Sequence, residues 1–502
     1  MLQFIVVLLL IRFALPLVTL DSTWELHRDE FLYFAMAEHL DFFQMQFPPM
    51  IAMIAGTGRA LFGETVWAAR VPAAFGGAAL TAVVLLLVRR LGGGYRAILY
   101  AWLALMAAPV FMRASVLMHP VIFDQLWAAV ALAALTLAAH ERDPRWWLVV
   151  GLGLGLGALT KFSVAFVGLS IAVTTVLIPD LRVQLKSRWP AFAFGIAAVL
   201  AVPSVSGQIA HHWPFLAQMS ALRATQLERV TPTAFVTGQL TLLAMALIAA
   251  VAAGVAALKG AARERTPAVA ALAMLVLMLV LHGKDYYAAP VYPVLLAIGA
   301  LQLDAWSRSS RLLATAVPTL LILGVLLLWP IGVPALAPDT MNQYAETMGL
   351  GSAVTTNSGD VLELPQDYAD MLGWRALADS VGAIAARLPA DARSDLLVFG
   401  ANYGRAGALA FHHARVGLPY PVSVSGDFWA WGPGHASGRH ALIVADARAE
   451  SKLRELFQSV TLAGVVSNPL GVSEEKRVLI FYAESPSASL ASLWSSLGPV
   501  WN

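Results

Sequence analysis

Long uncharged runs decide what this sequence can become. Residues 66–88 carry one charge, Arg70, and residues 234–258 carry none. At about 1.5 Å per helical residue, roughly 20 residues cross the ~30 Å hydrocarbon core of a bilayer. Charged residues make up 13% of the chain, against about a quarter in a soluble protein. In lipid a backbone must satisfy its own polar groups, and uninterrupted Leu-, Val- and Ala-rich runs do so as helices. The expected fold class is an α-helical polytopic membrane protein.

Eleven spans are expected, at about 2–20, 66–88, 97–113, 119–139, 146–160, 162–178, 190–207, 234–258, 267–281, 287–302 and 311–330. The first lacks a basic leading region and reads as a retained span, not a cleaved signal; Arg12 inside it has no ready account. Thirteen lysines and arginines crowd five short alternate loops, at 89–96, 142–145, 182–188, 259–265 and 308–311. The other loops hold eight over far more chain. The excess marks the cytoplasmic side, so the long first loop, 21–65, and the C-terminus lie outside. Spans 146–160 and 162–178 meet at "LTKFS", which reads as a turn dipping into the membrane with Lys161 on it.

Beyond residue 330 the composition turns. Residues 331–502 carry 11 Lys and Arg against 16 Asp and Glu, and apolar runs shorten to "DLLVFG" (395–400), "ALIVAD" (441–446) and "RVLIFY" (477–482). Helical patterns fall between them, at 366–387, 403–414 and 448–457. A membrane domain over 1–330 and an extracytoplasmic α/β domain over 331–502 are expected. A net charge of +2 gives no face for nucleic acid. The absence of cysteine excludes disulfides, thiolate metal sites and a cysteine nucleophile.

The external loops hold the chemistry. "HRDEFLYFAMAEHLDFFQMQFPPM" opens with Asp29 and Glu30 on an expected surface helix, 28–40. There Asp29, Tyr33 and Ala37 share a face. Two acids in a first turn also suit the helix dipole, while a carboxylate at the mouth of a membrane cavity can act as a general base. Pro48-Pro49 fixes an extended segment and could shape a pocket floor. Lys161, flanked by apolar spans, must snorkel, line water or meet an anion. "MRASVLMHPVIFD" supplies His119 and Asp124, and "HGKDYYAAPVYP" supplies Lys284, Tyr286 and Tyr287. Tyrosines there are also expected of an interfacial belt. Carboxylates and cations gathered outside the membrane suit a base that activates a nucleophile while cations steady a phosphate leaving group. "GANYGRAG" (400–407) reads as a structural strand-to-helix turn rather than a nucleotide loop. "DFWAWGP" (427–433) could stack on sugars or be buried.

"RDEFLYFAMAEHL", "FPPM" with "LFGETVWAARVPAA", "ALTKFS", "GKDYYAAPVYPVLLAIGA" and "ANYGRAGALAFHH" occur in an order and spacing that resemble bacterial glycosyltransferase family 39 of the GT-C superfamily. Protein O-mannosyltransferases and the lipid A aminoarabinose transferase are its relatives. The resemblance spans nearly the whole chain. It implies an inverting transferase in a bacterial inner membrane, with a polyprenyl-phosphate-linked sugar as donor and no cofactor. Asp29 matches the family's catalytic base, Asp124 its supporting acid, and Lys161 a basic residue near the lipid phosphate. Leu32 and Phe47 stand where the aminoarabinose transferase has basic residues, so the phosphate cradle is expected to draw on His119, Lys161 and Lys284. Glu30 belongs to the candidate catalytic set, Tyr286 and Tyr287 to the donor set, and Tyr33, Pro48 and Pro49 to the pocket-shaping set. Sugar, acceptor and any requirement for a divalent metal are left open. A secondary transporter or lipid flippase is the alternative, but the sequence shows neither paired halves nor a use for a large external domain there.

Overall fold

The computed structural model describes residues 1–349 and 361–501; residues 350–360 and Asn502 lie outside the described residues. Among the described residues, six helices are long and apolar enough to cross a membrane: Trp67–Arg90, Pro120–Glu141, Trp189–Ala210, Pro232–Lys259, Asp285–Ser309 and Arg311–Gly332. Val164–Leu177 and Pro179–Lys186 form a further pair bent by 98°. Leu2–Val18, Tyr95–Met106 and Trp146–Ala158 are shorter apolar helices at expected span positions, and Met50–Phe62 adds one inside the first loop. The chain is a multi-pass membrane protein.

One departure from the expected spans has a physical cause. The run 97–113 is not one helix: Tyr95–Met106 ends and Pro109–Ala114 begins afresh, because Pro109 supplies no amide and disfavours a helical residue before it. Arg12 reaches this break. It donates to the Phe111 carbonyl at 2.7 Å and to Ser115 Oγ at 2.6 Å, so the chain that the proline interrupts meets one end of the buried guanidinium, while its Nε has no partner among the described residues. The "GLGLGLG" run in Trp146–Ala158 serves close packing. A methyl on Gly153 would lie 2.8 Å from the Trp127 carbonyl, and one on Gly155 2.6 Å from Leu200.

The C-terminal part builds a four-stranded sheet from β1 (Leu396–Gly400), β2 (His440–Ala445), β3 (Phe457–Ser467) and β4 (Arg477–Pro486), in the order β1-β2-β4-β3. β1 runs parallel to β2, and the other pairs are antiparallel. Three strands lie where the sequence places them. β3 was not expected, because its long exposed stretch lacks the compact apolar run that marked the others. Helices Trp374–Arg387 and Tyr403–Val416 pack against the sheet and also against the first-loop helix Arg28–Glu38. Phe31 meets Trp374 at 5.9 Å and Phe411 at 5.5 Å between ring centroids, so the apolar core runs unbroken from the first loop into the C-terminal part.

Candidate active site

The first-loop helix starts where a cap tells it to. His27 is extended and its Nδ1 accepts the Asp29 amide at 3.1 Å, while Glu30 reaches back to the His27 amide at 2.8 Å. This reciprocal cap fixes the directions of the two acids. Glu30 turns into the protein. Its Oε1 accepts from Arg70 at 2.5 Å and from the Met118 amide at 2.8 Å, and both its oxygens are occupied. Glu30, grouped by sequence with the catalytic acids, therefore ties the first loop to the helix carrying Arg70 and to the loop before His119.

Asp29 is partly open, at 23% side-chain exposure. Tyr403 donates its hydroxyl to Asp29 Oδ1 at 2.8 Å. His119 caps helix Pro120–Glu141 by accepting the Val121 amide at Nδ1, which leaves the proton on Nε2, 3.4 Å from Asp29 Oδ2. Burial pushes the Asp29 carboxyl up, but His119, His27 and Arg28 outweigh it and hold the group well below the usual carboxylate range. Asp29 is thus an ionised, doubly anchored acceptor. Tyr33, one turn on, sets its ring edge-on to His119 at 5.8 Å, as the shared helix face required.

A second group lies beyond. Lys161 sits between helices Trp146–Ala158 and Val164–Leu177, on the expected turn, with Nζ 5.4 Å from the Tyr286 ring and 5.3 Å from the Tyr287 ring. Asp124 is buried, accepts from Ser163 Oγ at 3.1 Å, and lies in the field of Lys161. Lys284 donates to Gln226 Oε1 at 2.5 Å and stands within electrostatic reach of both Lys161 and Asp29. Tyr286 likewise lies in reach of Tyr33. The two groups form one constellation. Pro48 and Pro49 border it: both are buried, Pro49 opens helix Met50–Phe62, and the Met50 amide donates to the Leu159 carbonyl at 3.0 Å, two residues before Lys161. Behind the prolines, Ser206 Oγ donates to the Phe43 carbonyl at 2.7 Å, and His211 Nε2 sits 2.6 Å from the Gln44 carbonyl.

The sequence reading missed the residues that come from the C-terminal part. Asp370 faces His27 Nε2 at 3.7 Å and Arg28 Nε at 3.4 Å, and Glu474 pairs with Arg28. Tyr403 lies 374 positions from its partner Asp29, and no local pattern announces it. Among the described residues no group of His, Asp and Glu is arranged to hold a metal ion.

Residues 46–206 match the family described as dolichyl-phosphate-mannose-protein mannosyltransferase; the matched segment contains Pro48, Pro49, His119, Asp124 and Lys161. A lipid A galacturonosyltransferase, RgtD of Rhizobium johnstonii, is 28% identical over 188 residues, which is 36% of this chain and 38% of that protein. The chain therefore spans well under half the length of this curated relative. ArnT from Cupriavidus metallidurans, solved with undecaprenyl phosphate, superposes with a TM-score of 0.63 at 17% identity over 96% of this chain and 97% of that one. The apo structure of the same protein gives 0.61 at 18% identity with the same coverage. The resemblance read from the sequence is borne out: this is a multi-pass membrane protein with the fold of ArnT.

Proposed function

We propose that the chain is an inverting glycosyltransferase that moves a sugar from a polyprenyl-phosphate donor to an acceptor hydroxyl on the extracytoplasmic side of a bacterial inner membrane. One observation carries the reading: an ionised carboxylate, Asp29, shares a constellation with two lysines, Lys161 and Lys284. The names of the relatives support it, one solved with undecaprenyl phosphate and one described as a lipid A glycosyltransferase.

The acceptor's oxygen bonds to the anomeric carbon and then gives up its proton to Asp29. The bond from that carbon to the phosphate oxygen breaks on the opposite face, which inverts the configuration. The electron pair leaves with the lipid phosphate, steadied by Lys161 and Lys284, with His119 beside them. A carboxylate held so acidic is a weak base, so proton removal follows cleavage of the donor bond, once the incoming hydroxyl has become acidic. Asp124, held by Ser163, sets a negative field at Lys161, the rings of Tyr286 and Tyr287 cover the ammonium of Lys161, and the Tyr33 ring packs edge-on to His119. The prolines set the wall between the first loop and the Lys161 turn.

The test is Asp29→Asn in proteoliposomes supplied with a polyprenyl-phosphate sugar. The amide keeps the size and the Tyr403 contact but not the basicity. Turnover should fall about 10²–10⁴-fold, the usual contribution of a general base, with donor binding retained. Near-normal turnover refutes the assignment.

A further inference from the structure

We infer that Tyr403, from the C-terminal part of the chain, is a positioning residue for Asp29, so that the active site is completed only when that part docks. The inference rests on reading Asp29 as the base.

The contact follows from how two helices meet. Helix Tyr403–Val416 opens with Asn402 as its cap, accepting the Arg405 amide at 2.8 Å. It crosses the first-loop helix Arg28–Glu38 where its own residues are smallest. A methyl on Gly407 would lie 2.9 Å from Phe31 Cβ, and one on Gly404 3.3 Å from Arg28 Cβ. Gly404 and Gly407 of "GANYGRAG" therefore serve helix contact, and that closeness lets the first residue of one helix reach the first turn of the other. Tyr403 then donates to Asp29 Oδ1 at 2.8 Å. The Arg28 guanidinium lies 5.5 Å from the centre of its ring.

Two ion pairs secure the arrangement from one turn of the chain. Glu475 accepts from Arg405 Nε and from Asn402 Nδ2, both at 2.9 Å, and its neighbour Glu474 pairs with Arg28. Burial, opposed only in part by Arg28, keeps the Tyr403 hydroxyl well above its ordinary pKa, so it stays a donor and cannot itself be the base. With Tyr403 on Oδ1 and His119 beside Oδ2, both carboxylate oxygens are held. A base fixed in this way meets the acceptor hydroxyl in a single geometry.

Tyr403→Phe removes the hydroxyl alone and keeps the ring packing. It has two opposite effects on Asp29: the carboxylate becomes more basic and less fixed. If Tyr403 positions the base, geometry dominates. We expect kcat to fall about 10–100-fold, as for a lost hydrogen bond to a charged group, with the KM for donor unchanged. The acid limb of kcat should also move to higher pH, because a lost donor raises the carboxylate's pKa. A residue that merely supports folding would lower active-protein yield and leave the pH profile in place. Asp29→Asn, run in the same assay, separates the two readings. If Asp29→Asn is inert and Tyr403→Phe keeps wild-type kcat and profile, or turns over faster, the positioning role is overturned and the base stands. If Asp29→Asn turns over normally, both are overturned.

Discussion

Arg70 and Glu30 form an ion pair at 2.5 Å with both side chains 1% exposed. Arg70 also donates to the Glu25 carbonyl at 2.8 Å and the Val116 carbonyl at 3.2 Å. One guanidinium thus ties together the start of the first loop, the first-loop helix and the segment leading to His119. Asp29 and Glu30 are neighbours in sequence with separate work, one facing the constellation and one pinning the loop that presents it.

Glu30→Gln should therefore act on stability. It leaves Arg70 buried with no counter-charge, and breaking a buried pair from one side costs about 3–5 kcal/mol. The expected outcome is a marked drop in the thermal midpoint of the purified protein in detergent. Asp29→Asn, at a partly open site that keeps the Tyr403 contact, should lower the midpoint less than Glu30→Gln does. Equal midpoints for Glu30→Gln and wild type would contradict the assignment of Glu30 to the frame.

Lys161 and Asp124 form the other coupled pair, a buried acid in the field of a lysine. Lys161→Ala should weaken binding of a polyprenyl phosphate about 10–100-fold, the loss of one hydrogen bond to a charged group. It also strands Asp124, so the midpoint should fall. Adding Asp124→Asn removes the stranded charge. The double variant should regain stability but not affinity. Affinity that returns along with stability would mean Lys161 balances Asp124 and nothing more.

Much of this was legible because it is local. The apolar runs place the helices, "LTKFS" places Lys161 on a turn, and the spacing from Asp29 to Tyr33 puts both on one face. The break at Pro109 went unread, although proline cannot continue the preceding helix, and Arg12, which reaches it, looked only anomalous. What stayed hidden depends on the choice of distant partners. Arg70 looked like a charge lost in a span until Glu30 met it. "GANYGRAG" read as an ordinary turn because its glycines answer to Phe31 and Arg28, more than 370 residues away in sequence. β3 escaped for a different reason: its outward residues are exposed, and pairing with β4, not an apolar pattern, makes it a strand.

Lys284 gives a test by pH. Burial and the nearby charge of Lys161 lower its pKa from the ordinary value of 10.5 to about 8, against the opposing pull of Asp285 and Asp29. A phosphate binds the protonated amine, so polyprenyl phosphate affinity should fall as pH rises through about 8. The fall is at most about tenfold per pH unit, as for any single titrating site. Folding should respond with the opposite sign. Between about pH 8 and the unfolded value near 10.4 the unfolded chain holds the Lys284 proton more firmly than the folded one, so stability contributed by this site rises with pH. Binding that weakens while the thermal midpoint holds or climbs therefore reports the lysine, since unfolding would move both downward. Lys284→Arg keeps its charge throughout this range. It should bind with no inflection near pH 8, while Lys284→Met should bind weakly at every pH. An inflection that survives in Lys284→Arg would assign the titration to another group and take Lys284 out of the donor site.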